Sequence, residues 1–362
     1  MIALGAPLKN LEQYLENNKY KAKNDEQRLA LSLPLKTDIN PRSTSRANPN
    51  KTIALAGSFI DSLPEGNNKT YGSAFLSKIV IADRNEEISQ ISKYFSASLN
   101  TQFKTDKTNR LLRLGSANVF AWIAYTIYDD FIDDEGSSKM LSLANIMHRR
   151  AFELYLKEYP NKSKIINNYF NSVDNSNLWE LENCRAKILN NKIYIESIPE
   201  YNDGEFLAKR SIGHILGPKL LLDEMKTSSI RKNKAHEALF KYLIAKQISD
   251  DISDWESDLN NGHLSYVVSR LLTVANKLPG EYNLFDLTGD LRQVFWQEVY
   301  EECLRYSVRL LKESEYNLID SGLFSNDNNL RVKLLNPLNS ELDKCLKEHL
   351  YGKQFLKTYV ST

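Results

Sequence analysis

The residues best suited to chemistry are two clusters of aspartates, each at the end of an apolar stretch. The first cluster closes the run F-A-W-I-A-Y-T-I-Y-D-D-F-I-D-D-E-G, which begins at Phe120. Within it, Asp129 and Asp133 are four residues apart, and the same spacing is repeated from Asp130. Residues four apart on a helix lie one turn above each other, so these carboxylates would repel. The first acid ladder, defined as Asp129, Asp130 and Asp133, therefore needs a counter-charge, and its hard oxygen ligands suit Mg2+.

The second cluster repeats the D-D-x-x-D pattern about 120 residues later, in Q-I-S-D-D-I-S-D. Asp250, Asp254 and Asp258 follow at spacings of four, so a helix places all three on one face. We call these three the second acid ladder. Either ladder alone is typical of a solvated acidic helix end. Two matching ladders on apolar helices instead favour a site in which they face each other across a helical cavity, with a diphosphate and its Mg2+ ions between them.

Release of a diphosphate also needs cations other than the metal. Lys209 and Arg210 lie about 40 residues before the second ladder, in F-L-A-K-R-S-I-G-H-I-L-G-P-K. The glycines and the proline of this segment would weaken or break a helix, and broken helices often mark sites. A basic pair on the surface beside a helix kink explains the same residues without a ligand, and both interpretations remain open.

Aromatic residues precede the first ladder and could stabilise a carbocation through their π faces. Tyr125 lies one helical turn before Asp129, so we expect it to face the same space. Trp122 and Ala121 continue that face one turn further back. The alternative for each of these residues is ordinary core packing.

Composition narrows the class of protein. The chain has 362 residues, of which 42% are apolar and 26% charged, and its net charge is +1. It can therefore bury a sizeable core, and it has no long basic run to favour a nucleic-acid partner. Its 3 cysteines are widely separated, which fits a reducing cytosol. We expect a cytoplasmic protein without a signal peptide or a membrane span.

Other catalytic motifs are absent from the sequence. It contains no G-x-G-x-x-G, no Walker loop, no G-x-S-x-G and no H-E-x-x-H. Dinucleotide, nucleotide, serine-hydrolase and zinc-protease chemistry are therefore disfavoured.

Helical periodicity covers almost everything after residue 74. The ladders fall in helices predicted over residues 109–134 and 234–258, and further helices are predicted over 165–173 and 178–194. No run shows sustained strand alternation bounded by hairpin turns. Residues 1–70 are predicted to form an N-terminal helical segment and a polar linker, and residues 71–362 the main domain. Long helices with polar residues facing inward predict an all-α helical bundle with its site in the middle.

The two aspartate motifs resemble those of the trans-prenyltransferases, the polyprenyl diphosphate synthase branch of the class I isoprenoid synthases. D-D-F-I-D-D and Q-I-S-D-D-I-S-D carry the resemblance, which is clearest over residues 109–268. It implies an isoprenoid-synthase-type bundle around a central apolar cavity. It also implies that three Mg2+ ions hold an allylic prenyl diphosphate between the motifs, and that the protein forms a homodimer.

The resemblance assigns roles residue by residue. The implied Mg2+ ligands are Asp129, Asp133, Asp250 and Asp254, and the spacing of the ladders adds Asp130 and Asp258 to the candidates. Gln247 matches the glutamine three residues before the second motif. Lys209 matches the diphosphate-binding lysine, and Arg210 stands where threonine is usual. The candidate catalytic residues are Asp129, Asp133, Asp250 and Lys209.

Several features of the family are changed. The G-G-K-x-x-R-P motif, which helps to bind the homoallylic co-substrate, is not found upstream. The segment E-G-S-S-K replaces the usual arginine pair after the first motif, and the G-K-x-x-x-D insertion after the second motif is missing. The second ladder has the spacing, though not the residue types, of the second metal motif of terpene cyclases.

These changes favour ionisation of an allylic diphosphate followed by cyclisation. The alternatives are a short-chain prenyl diphosphate synthase, transfer of the prenyl group to another acceptor, and a non-catalytic helical scaffold.

Overall fold

The computed structural model describes residues 50–83, 86–100, 107–132, 136–325 and 328–360. These residues divide into two compact units. The first unit holds the described residues up to 90 and from 107 to 158, and the second holds those from 91 to 100 and from 159 onward. Most of the segment predicted over residues 1–70 lies outside the described residues.

The first unit is helical, and a side-chain cap at Asn50 starts its first helix. The side chain of Asn50 accepts hydrogen bonds from the backbone N–H groups of Thr52 and Ile53 and so starts the first helix. The helices are α1 Lys51–Asp61, α2 Asn67–Ala82, the first turn of α3 Glu87–Ser98, α4 Lys107–Ile132 and α5 Leu141–Glu158.

Helix α4, which carries the first ladder, packs against α1 along its apolar half. The Phe59 and Phe120 rings meet edge to face with centroids 5.1 Å apart. Ser116 Oγ donates a hydrogen bond to the Thr52 carbonyl at 3.2 Å. At the far end, Arg113 pairs with the buried carboxylate of Glu158 at the end of α5. This ion pair thus fixes the beginning of α4, at the opposite end of the helix from its aspartates.

The second unit contains the remaining helices. They are the rest of α3, α6 Ser163–Asn183, α7 Glu205–Ser211, α8 Leu216–Glu224, α9 Ser229–Asn260, α10 Tyr266–Val274, α11 Leu284–Val294, α12 Tyr300–Ser321 and α13 Asn336–Val360. Short turns of π-helix precede α12 and α13, at Phe295–Val299 and Arg331–Leu335. Within the described parts of the chain, no helix is both long and apolar enough to cross a membrane.

Helix α9, which carries the second ladder, is the core helix of this unit. Ile248, Ile252, Trp255 and Leu259 are buried, and their spacing of four, three and four defines one apolar face. The Trp255 ring lies against Phe295, with centroids 5.1 Å apart. This packing leaves the acidic face of the same helix partly exposed.

A small sheet corrects the prediction that no strands are present. β1 Lys187–Leu189 pairs antiparallel with β2 Lys192–Ile195, which pairs antiparallel with β3 Gly280–Asn283. The helix predicted over residues 178–194 is therefore wrong beyond Asn183. Asn190 and Asn191 both have positive φ, as a two-residue hairpin turn requires, and their short side chains tolerate that conformation.

His236, a half-buried histidine of this unit, makes stability depend on pH. His236 on α9 lies against α6, with the Tyr169 hydroxyl 2.6 Å from its Nε2. Burial, with a contribution from the charge of Lys219, lowers the pKa of His236 to about 4. In the unfolded chain the pKa is about 6.5. The unfolded state therefore binds the extra proton between these values, and stability should fall as pH drops through this window, by about 3 kcal/mol at pH 4.

Urea denaturation at pH 7 and pH 4.5 checks this expectation. The stability of His236→Gln should fall less steeply between the two pH values than that of the wild type. Parallel losses in both proteins would show that His236 is not the group responsible.

Candidate functional site

Two residues of the first ladder, Asp129 and Asp130, lie in the last turn of α4. Asp129 and Asp130 are both partly buried, and α4 ends at Ile132. Carboxylates at a helix C-terminus meet the negative end of the helix dipole, so the position itself favours a cation nearby. Asp133 lies outside the described residues, and its role as a ligand stays a prediction.

A lysine that the sequence did not single out lies near this ladder. Burial lowers the pKa of Lys78 on α2, and the charge of Asp130 opposes that shift. Helix α2 therefore brings a partly buried ammonium group within electrostatic reach of the ladder. No sequence motif marks Lys78, because its proximity to Asp130 depends on how α2 packs.

The aromatic residues before the first ladder contact helix α5. The Tyr125 hydroxyl lies 3.5 Å from Nε2 of His148, and the two rings meet edge to face with centroids 5.7 Å apart. Tyr128 donates a hydrogen bond to Oδ1 of Asn145 at 2.7 Å. Trp122 is buried, and so is Ala121. Tyr125 and Tyr128 are only partly buried, so both rings are more able to contact a ligand than Trp122 is.

The second ladder follows the partly exposed face of α9. Asp250, Asp254 and Asp258 are all partly exposed, and Gln247 lies one turn before Asp250 on the same helix. Burial raises the pKa of Asp254 to about 6, and the neighbouring Asp258 carboxylate adds to the shift. The repulsion expected from the spacing is therefore present between these two residues.

Asp251, the second aspartate of the D-D pair, has a different environment. Its Oδ2 accepts a hydrogen bond from the Tyr266 backbone N–H at 3.0 Å and so caps α10, where Ser265 makes no side-chain cap. Burial raises the pKa of Asp251 to about 8, and Asp258 contributes to the shift. Asp251 is therefore used as a helix cap, and of the D-D pair only Asp250 belongs to the second ladder.

Substitutions at position 251 should separate capping from chemistry. Asp251→Asn keeps an acceptor oxygen and removes a charge that burial already disfavours, so we expect its stability to stay within about 1 kcal/mol of the wild type. Asp251→Ala leaves the Tyr266 N–H without its partner and should cost about 1–2 kcal/mol. Urea denaturation of the two variants measures the difference. Equal losses would contradict the capping role.

The basic pair lies at the end of α7. Lys209 Nζ is 2.7 Å from a carboxylate oxygen of Glu205 one turn earlier, and both side chains are well exposed. Arg210 instead reaches into the unit, where its Nη1 lies 2.7 Å from Glu180 Oε2. The two residues therefore have unlike environments, and Lys209 is the more accessible to a ligand.

The predicted break in this helix is confirmed. α7 ends at Ser211, a 3₁₀ turn covers Ile212–Ile215, and α8 starts at Leu216. Pro218 falls in the first turn of α8, where a missing backbone N–H removes no intrahelical hydrogen bond.

Arg210 belongs to a group of three basic side chains that all pair with Glu180. Glu180 lies in the last turn of α6 and is 5% exposed. Its carboxylate pairs with Arg210, with Arg185 Nη2 at 2.9 Å and with His263 Nε2 at 3.2 Å. Burial alone would raise its pKa, but Arg210, His263 and Arg185 together hold the pKa of Glu180 well below its usual range. The sequence did not identify Glu180, since no motif surrounds it.

A tight turn after α9 delivers His263 to this cluster. The Ala186 N–H donates to the Gly262 carbonyl at 2.7 Å, and the Leu264 N–H donates to the Cys184 carbonyl at 2.8 Å. Gly262 has a φ of +76°, and a Cβ there would lie 2.4 Å from the Ala186 carbonyl oxygen. Only glycine fits this crossing, which places His263 opposite Arg185.

His263 also connects the cluster to the second ladder. Its Nδ1 lies 3.7 Å from Asp258 Oδ1, and its backbone N–H donates to the Asp258 carbonyl at 2.8 Å. Burial opposes the charged imidazole, but Glu180 and Asp258 outweigh it and raise the pKa of His263 to about 10. The two carboxylates therefore favour the charged form of the imidazole.

The donor set matches one kind of metal binding. Among the described residues, no three or more His, Cys, Asp or Glu side chains form a group that could hold a metal ion by themselves. The second ladder instead offers carboxylates in a row along α9, and α4 offers Asp129 and Asp130 near its end. Mg2+ is commonly bound by one or two carboxylates, with phosphate oxygens and water completing its shell. The residues present therefore fit Mg2+ held jointly with a phosphate-bearing ligand.

Comparison with known proteins establishes the fold. No protein family and no curated protein matches the chain at the sequence level. The fold is that of the all-α isoprenoid synthases, as predicted. The chain is similar in structure to a geranylgeranyl pyrophosphate synthetase from the archaeon Geoglobus acetivorans, with a TM-score of 0.57 and 12% sequence identity. The match covers 82% of this chain and 96% of the other.

Proposed function

We propose that this protein is a Mg2+-dependent enzyme that ionises an allylic prenyl diphosphate and directs the resulting carbocation to an intramolecular product, as a terpene synthase does. The observation that carries the proposal is the pair of acid ladders, one at the end of α4 and one on α9, in a chain with this fold. A single acidic helix end would not support it.

The proposed roles follow from the chemistry of each group. Asp129, Asp133 and the second ladder are the proposed ligands of Mg2+, which would stabilise the negative charge that develops on the departing diphosphate. Lys209, Arg210 and Gln247 are the proposed donors to its oxygens. The exposed ammonium of Lys209 suits that role, and the Arg210 side chain is 22% exposed beside its pair with Glu180.

The carbocation left behind needs apolar and aromatic surroundings. Tyr125 offers a π face that can stabilise positive charge, and Trp122 and Ala121 are the proposed apolar lining. Exclusion of water by such a lining would prevent simple hydrolysis to an alcohol.

A prenyl diphosphate synthase is the second candidate. The similar solved structure is named as a geranylgeranyl pyrophosphate synthetase, which favours elongation with a homoallylic co-substrate. The first candidate is favoured because the motif expected to bind that co-substrate is not found in the sequence.

One incubation distinguishes these functions. The purified protein is mixed with Mg2+ and geranyl, farnesyl or geranylgeranyl diphosphate, each with and without isopentenyl diphosphate. Diphosphate release is followed by a coupled assay, and products by gas chromatography with mass spectrometry. A hydrocarbon or cyclic alcohol from a single substrate supports the terpene synthase, and longer diphosphates made only with both substrates support the prenyl diphosphate synthase. No release of diphosphate under any condition would overturn both and leave a helical scaffold.

A further inference from the structure

We infer that Glu180 is a positioning residue, which holds Arg210 directly and Asp258 through His263, so that one buried carboxylate fixes both the basic and the acidic side of the site in the second unit. The inference rests on the proposed function for the identity of the ligand, a Mg2+-bound diphosphate. Its structural basis is the contacts of Glu180 within the second unit alone.

The contacts show that Glu180 joins separate parts of the unit. The carboxylate at the end of α6 contacts Arg210 at the end of α7 and His263 in the turn after α9. The side chains of Glu180 and His263 are 7% and 12% exposed, so water screens their interaction poorly. Asp258, 3.7 Å beyond the imidazole, is the last aspartate of the second ladder.

Such contacts matter for ligand binding because they order long side chains in advance. An arginine side chain has many rotamers, and part of that freedom is lost when it binds a ligand. Arg210 has already lost part of that freedom through its pair with Glu180. The same argument holds for Asp258, which the imidazole restrains.

Glu158 in the first unit provides a matched control. It is also a buried glutamate, with 8% side-chain exposure, and it also pairs with two arginines, Arg110 and Arg113. Arg113 lies sixteen residues before Asp129 in α4, which is about 24 Å at 1.5 Å per residue. Loss of Glu158 should therefore cost stability as loss of Glu180 does, without disturbing either ladder.

The test compares Glu180→Gln with Glu158→Gln. Isothermal calorimetry measures the binding of inorganic pyrophosphate in the presence of Mg2+, so no turnover is required. We expect Glu180→Gln to weaken this binding by at least about tenfold, the size of effect seen when a supporting group is removed from a metal site. Glu158→Gln should bind within about twofold of the wild type. Equal affinity in the two variants, both folded by circular dichroism, would overturn the inference.

His263→Gln covers the outcome in which Glu180→Gln does not fold. This variant keeps both arginine pairs of Glu180 and removes the imidazole that contacts Glu180 on one side and Asp258 on the other. Its pyrophosphate affinity should fall by about threefold or more, and unchanged affinity would contradict the connection.

The outcomes separate this inference from the proposed function. Wild-type protein that binds pyrophosphate in a Glu180-dependent manner but turns over no prenyl diphosphate would retain the positioning role and reject the function. Turnover that is equally retained in Glu180→Gln and Glu158→Gln would keep the function and reject the positioning role. No pyrophosphate binding by the wild type would reject the positioning role.

Discussion

Replacement of either ladder's first aspartate is expected to abolish turnover while leaving the protein as stable as before. Asp129→Ala and Asp250→Ala should each lower kcat/KM for the best prenyl diphosphate by at least about 100-fold, since each removes a proposed Mg2+ ligand whose effect is on the charge developing in the transition state. Both residues are partly exposed and belong to rows of like charges. Their removal should therefore relieve repulsion, and thermal stability should stay constant or rise slightly.

This combination of outcomes is diagnostic because most substitutions that reduce activity also reduce stability. Glu256→Gln is the matched control. Glu256 lies on α9 near the ladder but pairs with Arg292 at 2.7 Å on the surface. The Glu256→Gln variant should have a kcat/KM within about twofold of the wild type. Full activity in both alanine variants would show that the ladders are not part of the active site.

The second large effect is expected at Gly262. Gly262→Ala should lower the free energy of unfolding by about 2–4 kcal/mol, as a side chain there is forced into positive φ and against a backbone carbonyl that cannot easily move. Because the turn also carries His263 to Glu180 and Asp258, the variant should lose activity as well. Urea denaturation followed by circular dichroism gives the first quantity, and the diphosphate-release assay the second.

Gly289→Ala is the control for this substitution. Gly289 is an exposed residue inside α11, and a Cβ there would meet no atom within 4 Å. Alanine should raise stability by about 0.5–1 kcal/mol, because it restricts the unfolded chain without strain in the helix. If Gly262→Ala proved as harmless as Gly289→Ala, the close crossing at Ala186 would not exist in solution.

Local patterns in the sequence were enough for the fold class and for the helical position of the second ladder and of Asp129 and Asp130. The helical repeat alone places Asp250, Asp254 and Asp258 on one face of α9. It also places the buried Ile248 and Ile252 together on another face. The break after α7 was equally readable, because glycine and proline act through their own backbone geometry.

Turns were harder to recognise than helices. The helix predicted over residues 178–194 fails at the Asn190–Asn191 turn, where K-I-L-N-N-K-I-Y-I has the alternation of a hairpin. The signal was present but short, and a strand of three or four residues competes poorly with helical periodicity on both sides.

The sequence by itself determined an all-α fold and predicted two carboxylate clusters suited to Mg2+ and diphosphate. Only the tertiary structure decided which groups surround those clusters. Asp251 differs from its neighbour Asp250 because the start of α10 meets it, and Glu180 matters because Arg185, Arg210 and His263 reach it from other segments. Periodicity acts between residues a few positions apart, whereas an ion pair between distant segments depends on packing that no local pattern encodes.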